Sequence, residues 1–283
     1  MKVLYFNIVC FLSFGAILSS CDEQLVVDSN ELPKLVLNGL LTIDDTIKVE
    51  LSKTRDLFNE FDGIDWVRNA DVYLTADNSV AELLVYKGNG VYSSTSKIAE
   101  NGGVYSIEVN HAVYNNIKAT AEMPEPTIGE VNFTGTDSNG NKNFELNIVN
   151  NNNAENYFIW EMIERQNGVE RNIEIISFDS KTDNILPDET QNQEKIFLQG
   201  SDLIQIDDVT SGFSTSGIEE DEFTNIEIHL NTVNEDMYKY YRSLELYRNS
   251  SKKFINPVEI YSNVENGLGI FGAVSYNVIP VTF

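Results

Sequence analysis

The sequence predicts a mainly β protein with two immunoglobulin-like, β-sandwich-type domains and one α-helix. Short segments in which apolar and polar residues alternate are typical of half-buried strands. Asn, Asp and Gly clusters separate these segments at intervals of about 8–12 residues, the spacing of strands in a sandwich. The apolar period changes to that of a helix over residues 234–249 alone.

The start of the chain has the pattern of a secretory leader. An apolar run over 3–18 follows one basic residue and is shorter than the ~20 residues of a spanning helix. It ends in Leu18-Ser19-Ser20-Cys21, which resembles a bacterial lipobox, where the Cys becomes the acylated first residue. The sequence therefore predicts a lipoprotein signal peptide over 1–20, lipidation of Cys21 and an acylated tether over 21–33. An ordinary signal peptide that contains a Cys is the alternative.

The residues around this Cys carry two further expectations. Cys10 lies in the leader and Cys21 carries lipid, so the mature chain has no thiol for a disulfide or a nucleophile. Asp22 and Glu23 resemble the acidic export signal of Bacteroidota lipoproteins and predict the outer face of the outer membrane. A periplasm-facing lipoprotein with an acidic tether is the alternative.

The charge balance excludes several partners. The chain of 283 residues has 19 basic and 44 acidic residues, a formal net charge of −25. Nucleic acid binding and polybasic membrane patches both need Lys/Arg clusters, so we expect no nucleic acid partner. Hydrophobic residues make up 42% of the chain, too many for acidic disorder. We expect acyl chains to hold the protein on the membrane.

The N-terminal sandwich is predicted over 34–123. Turns are expected at Asp44-Asp45 and Gly88-Asn89-Gly90. The alternating segments lie at 35–41, 47–51, 70–75, 82–86, 91–94, 104–109 and 117–123. Pro124-Glu125-Pro126 disfavours both helix and central strand, which predicts a linker over 124–127.

The second β-rich domain is predicted over 128–283. In segment 157–163 both alternating sets of residues are largely apolar, which indicates a central strand covered on both faces. Other strands are expected at 131–133, 144–149 and 223–230, with a turn at 137–141. Long loops are predicted over 177–222, including the Ser/Thr/Gly stretch 210–217, with short strands near 173–178, 196–198 and 203–206. A loop of this length is either functional or disordered.

One amphipathic helix is predicted over 234–249. Asn234 suits the N-cap, and Glu235 and Asp236 suit the first turn. The apolar face consists of Met237, Tyr240, Tyr241, Leu244 and Tyr247, with Arg248 near the end. We expect this aromatic stripe to pack in the core.

Catalytic motifs are absent from the sequence. There is no Gly-x-Ser-x-Gly elbow, P-loop or His-Glu-x-x-His motif, and 212–216 lacks the final Gly of the elbow. His111 and His229 have no ligand-spaced partner, so we expect packed or surface histidines. The prediction is a non-enzymatic protein without a cofactor. A surface hydrolase that uses loop carboxylates and a structural or adhesive surface protein remain alternatives.

Acidic residues offer weak calcium candidates, since carboxylates are calcium ligands. Asp137 and Asn139 lie in a stretch similar to part of a calcium loop, but its Gly comes too early for an EF-hand. Acidic pairs or runs occur at Glu161/Glu164, Asp207/Asp208 and Glu219–Glu222. Solvated acids are the preferred interpretation, so no metal is predicted. Separately, Asp45-Thr46-Ile47 resembles an O-glycosylation acceptor, which makes Thr46 a candidate.

Several segments together resemble one family. The stretch 261–272, Tyr-Ser-Asn-Val-Glu-Asn-Gly-Leu-Gly-Ile-Phe-Gly, closely resembles the C-terminal signature of the domain-of-unknown-function 4249 family. The segments 21–23, 33–40 and 103–109 look like the same family, as does the helix leading into Asn256-Pro257. The resemblance implies two β-rich domains and a Bacteroidota outer-membrane lipoprotein, often associated with a TonB-dependent transporter. It implies no reaction and no catalytic residues.

The signature makes physical sense as a fold-closing turn rather than a ligand site. Glycine permits positive φ or close backbone approach, and Asn suits turns. The residues to which we assign this structural role are Asn263, Asn266, Gly267, Gly269, Phe271 and Gly272.

Overall fold

A computed structural model describes ten stretches of the chain, which are 33–55, 63–77, 79–149, 156–166, 169–173, 175–179, 196–199, 209–215, 224–253 and 258–282. The leader, Cys21, Asp22, Glu23 and the strand predicted near 203–206 lie outside the described residues. So do the acidic candidates Asp207, Asp208 and 219–222. Across the described stretches, no helix has both the length and the apolar character needed to cross a membrane.

The described chain is mostly β-strand with one helix, α1 (Glu235–Lys253), which confirms the predicted fold class. The strands are β1 (Leu35–Thr42), β2 (Thr46–Lys53), β3 (Asp71–Ala76), β4 (Glu82–Leu83), β5 (Val85–Gly88), β6 (Val91–Ile98), β7 (Val104–Asn110), β8 (Ile117–Glu122), β9 (Ile128–Thr136), β10 (Lys142–Val149), β11 (Tyr157–Gln166), β12 (Val169–Asn172), β13 (Ile175–Asp179), β14 (Ile196–Gln199), β15 (Val209–Thr215), β16 (Thr224–Val233) and β17 (Leu268–Pro280).

The strands within the described stretches form three sheets. A nine-stranded sheet has the order β12-β11-β16-β17-β1-β2-β6-β5, with β14 also pairing β11. The sheet β4-β3-β7-β8 covers its β1-β2-β6 part, and Leu37, Leu51 and Ile107 lie in the core between them. The sheet β13-β15-β10-β9 covers its β11-β16 part around Phe144 and Trp160. Helix α1 packs on the other face of the β11-β16 part of the large sheet.

Strand β17 joins the two halves of the chain. Its first part runs parallel to β1, from Val36↔Leu268 to Thr42↔Val274. Its second part runs antiparallel to β16, from Val233↔Val274 to Glu227↔Pro280. One sheet therefore continues across both predicted domains, and the linker at 124–127 stays a prediction.

Two sequence predictions have clear outcomes. Strand β11 has paired neighbours on both edges, and Trp160 and Ile159 enter the cores on its two faces, which confirms a central strand. The loop predicted over 210–217 is wrong for 209–215, because β15 pairs β10 from Lys142↔Thr215 to Ile148↔Val209. Ser, Thr and Gly lower the hydropathy of β15, but Thr is β-branched and suits a pleated strand.

Candidate functional site

The C-terminal signature lies where α1, β17 and β8 meet. Asn263 Oδ1 accepts a hydrogen bond from Phe271 N–H at 3.0 Å, and its Nδ2 donates to the carbonyl oxygen of Phe271 at 2.8 Å. The same Nδ2 lies 3.1 Å from Asp236 Oδ2 and 3.4 Å from the carbonyl oxygen of Thr120. The Asn263 side chain thus bonds both the N–H and the C=O of Phe271 on β17, and its bond to Asp236 connects that strand to the helix.

Asp236 receives a second donor. The Tyr261 hydroxyl donates to Asp236 Oδ1 at 2.5 Å, and Tyr261 N–H donates to Ser243 Oγ at 2.8 Å. Burial, reinforced by the hydrogen bond to Asp236 and by its charge, raises the pKa of Tyr261 well above the ordinary 10.0. Tyr261 therefore stays a hydrogen-bond donor throughout the physiological range.

The predicted N-cap of the helix is confirmed and has a second function. Asn234 Oδ1 accepts from Met237 N–H at 3.3 Å, as an N-cap does, and also from Ala273 N–H at 3.0 Å. Its own N–H donates to the Ala273 carbonyl oxygen at 3.2 Å. We call Asn234, Asp236, Tyr261 and Asn263 the clasp, because together they hold the start of α1 against β17.

The identities of the other signature residues are explained by the space or the backbone conformation at each position. Gly269 has φ +109°, and a Cβ there would lie 2.0 Å from the Leu37 carbonyl oxygen. A Cβ at Gly272 would lie 2.6 Å from Met237 Sδ, and one at Gly267 would lie 2.8 Å from an Ile117 side-chain carbon. Asn266 has φ +58°, and the side chain of Phe271 is fully buried in the first core. The three glycines and Phe271 are therefore in close contact within the fold, whereas Asn266 is exposed and contributes its positive φ to the turn.

A second polar group lies on the helix-side face of the large sheet. Glu161 on β11 stands directly opposite His229 on β16. His229 Nε2 is 3.3 Å from Glu227 Oε2, and Arg165 Nε is 3.6 Å from the same oxygen. We call Glu161, Arg165, Glu227 and His229 the charged row. Burial raises the pKa of Tyr276, and the nearby charge of Glu161 adds to this.

The charged row does not contain the acidic pair Glu161/Glu164 that the sequence analysis named as a calcium candidate. Glu161 and Glu164 are three residues apart on a regular strand, so they lie on opposite faces and cannot share one cation. Glu164 is buried. Over the described residues, no three His, Cys, Asp or Glu side chains are grouped so as to hold a metal ion. Side chains of both signs are partly exposed in the row, with Arg165 at 43% and Glu227 at 22%.

The calcium candidate Asp137 and the glycosylation candidate Thr46 both lie at turns. Asp137 Oδ1 accepts from the backbone N–H of Asn139 at 2.8 Å and of Asn141 at 2.9 Å. The Asn141 side chain and backbone donate to the carboxylate and lower the pKa of Asp137. Thr46 is exposed at the start of β2, and its N–H donates to Asp45 Oδ1 at 2.7 Å. The hydroxyl of Thr46 is thus accessible.

His111 organises a loop. Its Nδ1 accepts from the backbone N–H of Val113 at 3.0 Å and of Tyr114 at 3.3 Å. Because Nδ1 accepts, Nε2 is the donor toward Asn69 Oδ1 at 3.3 Å. The ring also stacks on Tyr114 at a centroid distance of 4.7 Å. His111 is therefore a packed residue.

The fold is mainly β, and the long C-terminal strand β17 lies between β1 and β16 in the large sheet, where the clasp holds it against α1. A family model described as "Domain of unknown function (DUF4249)" matches residues 22–278. The chain belongs to this family. No curated protein matches the chain.

Solved structures include a remote match. A crystal structure of a DUF4785 family protein from Legionella pneumophila is 13% identical, with a TM-score of 0.27. The match covers 72% of this chain and 54% of the other, so the chain spans about half the length of that protein.

Proposed function

We propose that this protein is a lipid-anchored accessory or binding protein of the outer membrane, exposed at the cell surface and associated with a TonB-dependent transporter. The observation that carries the proposal is the lipobox-like Leu18-Ser19-Ser20-Cys21, which precedes the folded unit beginning at Pro33. The acidic residues after Cys21 support surface export, and the resemblance to Bacteroidota lipoproteins supports the transporter as partner.

A binding role without catalysis agrees with how the polar side chains are used. Asn263, Phe271 and the three glycines of the signature make contacts inside the fold, whereas the charged row is partly exposed. Arg165 is 43% exposed and lies on a sheet face, where a rigid scaffold presents it to a partner. We propose the charged row as one contact region for the transporter.

The anchor is tested with its own matched control. In cells fed a clickable fatty acid, the wild type and Cys10→Ser should be labelled and recovered in outer membranes, because Cys10 is removed with the leader. Cys21→Ser should lose both the label and the membrane recovery. Equal labelling of Cys21→Ser would contradict the proposed anchor.

The partner is tested by affinity purification from gently solubilised outer membranes. The tagged wild type should recover a TonB-dependent β-barrel, and Arg165→Glu should recover less of it, because the reversed charge opposes the same contact. Lys142→Glu, on β10 of a different sheet, serves as a charge-matched control. Recovery of the wild type without any β-barrel partner would contradict the association.

A further inference from the structure

Strand β17 is longer than the strands beside it, so each of its two edges runs past the end of a neighbour. On one edge, β16 pairs with the second part of β17 and stops at Val233↔Val274. On the other edge, β1 pairs with the first part and stops at Thr42↔Val274. Within the described residues, each edge therefore has one stretch without a strand partner, which is 268–273 past the end of β16 and 275–280 past the end of β1.

The stretch past β16 is closed by the clasp. Asn263 bonds both the N–H and the C=O of Phe271 through its side-chain amide. Asn234 accepts from the N–H of Ala273 through its side chain and donates to the C=O of Ala273 through its backbone. Two asparagines thus satisfy the backbone groups that a continued β16 would have paired.

The stretch past β1 has no such closure among the described residues. The N–H of Val281 donates to the carbonyl oxygen of Ile226 at 2.9 Å, which fixes the residues of β17 that face β16. Because backbone groups alternate in direction along a strand, Tyr276 and Val278 direct their N–H and C=O away from β16, to the edge that β1 has left. Pro280 follows the same alternation, since a residue without an N–H suits a position that makes no ladder bond.

This open edge, residues 275–280, is accessible and uncharged. The side chains of Tyr276 and Val278 are 50% and 47% exposed. The sequence of the stretch is Ser-Tyr-Asn-Val-Ile-Pro, without a Lys, Arg, Asp or Glu. Native sheets commonly protect an edge with charged side chains, proline or a covering element, and here Pro280 protects only the last position. The contrast with the closed edge indicates a surface kept for pairing.

The chemistry of the open edge specifies its ligand. Two residues, Tyr276 and Val278, each offer one donor and one acceptor, and the two pairs repeat at about 7 Å along the strand. An extended peptide has the same repeat and the complementary groups, so it can satisfy all four. Tyr and Val also form favourable cross-strand contacts with apolar and β-branched side chains.

We propose that the open edge of β17 accepts an extended segment of the partner protein as an additional strand, in line with β1. Main-chain hydrogen bonds to Tyr276 and Val278 provide affinity, and alternate apolar side chains of the segment pack on these two residues. Val278 stands directly opposite His229, so the added strand adjoins the charged row and forms one contact region with it. The inference rests on the proposed function, because it assigns the segment to the transporter.

The first measurement is hydrogen exchange of single backbone amides in the isolated mature chain, residues 21–283, by NMR. We expect the amides of Asn277 and Ile279, which face β16, to exchange at least ~100-fold more slowly than those of Tyr276 and Val278. Equally slow exchange at all four amides would show that the chain itself covers the edge and would overturn the proposal. Protection of Tyr276 and Val278 that rises with protein concentration would assign the edge to a second copy and would overturn the partner segment.

The second measurement uses the tagged protein recovered from gently solubilised outer membranes. In the complex, the amides of Tyr276 and Val278 should become protected. Val278→Pro removes an outward N–H and Val278→Lys adds a charge to the edge, so both should lose most of the recovered β-barrel. Val85→Lys is the matched control, because Val85 is 42% exposed on β5 at the far edge of the same sheet, and it should recover the wild-type amount.

The two failures are distinguishable. If the wild type recovers a β-barrel while Tyr276 and Val278 still exchange rapidly, or if Val278→Lys recovers as much as Val85→Lys, the strand pairing is overturned and the association stands. If the wild type recovers no β-barrel, the proposed function itself is overturned. Urea denaturation of each variant confirms that a loss of recovery is not a loss of folding.

Discussion

The clasp and the charged row are both built from polar side chains on or beside the same sheet, yet they are used in opposite ways. Asn263 and Asn234 bond to backbone groups of β17, so each removal leaves a backbone donor without its partner. Arg165, by contrast, forms ion pairs with the side chains of Glu170 at 3.1 Å and Glu227 at 3.6 Å, and its side chain is 43% exposed. The more recognisable sequence motif therefore maintains the fold, while the less recognisable row lies partly exposed on a sheet face, where we propose that it contacts a partner.

The largest expected effect is on the glycine beside the clasp. Gly269→Ala should lower the free energy of unfolding by at least ~4 kcal/mol or prevent folding, because its Cβ would overlap the Leu37 carbonyl and separate β1 from β17. Gly88→Ala is the matched control, with φ +104° and no atom within 4 Å of the new Cβ, and should cost only about 1–2 kcal/mol. Urea denaturation measures both. Equal costs would show that β17 shifts freely.

Next in size is the clasp amide. Asn263→Ala should cost about 3 kcal/mol, because the N–H and C=O of Phe271 both lose their partner in a half-buried site. The same denaturation experiment measures it, with Asn277→Ala as control, since that side chain has one bond, to the Thr127 carbonyl oxygen. A cost below that of the control would argue against the clasp as a structural device.

The tyrosine of the clasp adds a dependence on pH. Folding raises the pKa of Tyr261, so its stabilisation is complete below pH ~10 and is lost as the pH rises further, where the unfolded chain releases the proton first. Tyr261→Phe should therefore cost about 1–2 kcal/mol at pH 7 and progressively less above pH 10. Denaturation curves at several pH values test this. A cost that does not fall at high pH would contradict the hydrogen bond to Asp236.

The smallest expected effect lies in the charged row. Arg165→Ala should change the free energy of unfolding by less than about 1 kcal/mol, because exposed ion pairs contribute little. Arg165 is 43% exposed and its partner Glu170 is 59% exposed. The same variant should weaken recovery of the β-barrel partner. A large loss of stability would move the row to the structural side of the comparison.

Much of the fold follows from local pattern. Strands such as β2 and β7 alternate cleanly because one face is buried and the other meets water, and Asn234 satisfies a local rule for helix starts. Strand β15 escaped detection because its Ser, Thr and Gly residues resemble a loop until β10 and β13 pair with it. Pairing of that kind is a property of the whole chain.

The polar sites likewise show which features local sequence can predict and which depend on the folded chain. Asn263 could be assigned to a turn from its neighbours, but its bonds to Phe271 and Asp236 connect residues that only the folded topology brings together. Glu161 and His229 are 68 positions apart and became neighbours through strand register, which single-sequence periodicity does not encode. Glu161 and Glu164, close in sequence, were separated by the same geometry.

The clasp should behave as one cooperative structural unit. A double-mutant cycle of Asp236→Ala and Asn263→Ala, measured by urea denaturation, tests this directly, because their side chains lie 3.1 Å apart and share the bonds to Tyr261 and β17. We predict a coupling free energy of about 0.5–3 kcal/mol, with the double variant less destabilised than the sum of the two single ones. Additive costs, within about 0.3 kcal/mol, would contradict it.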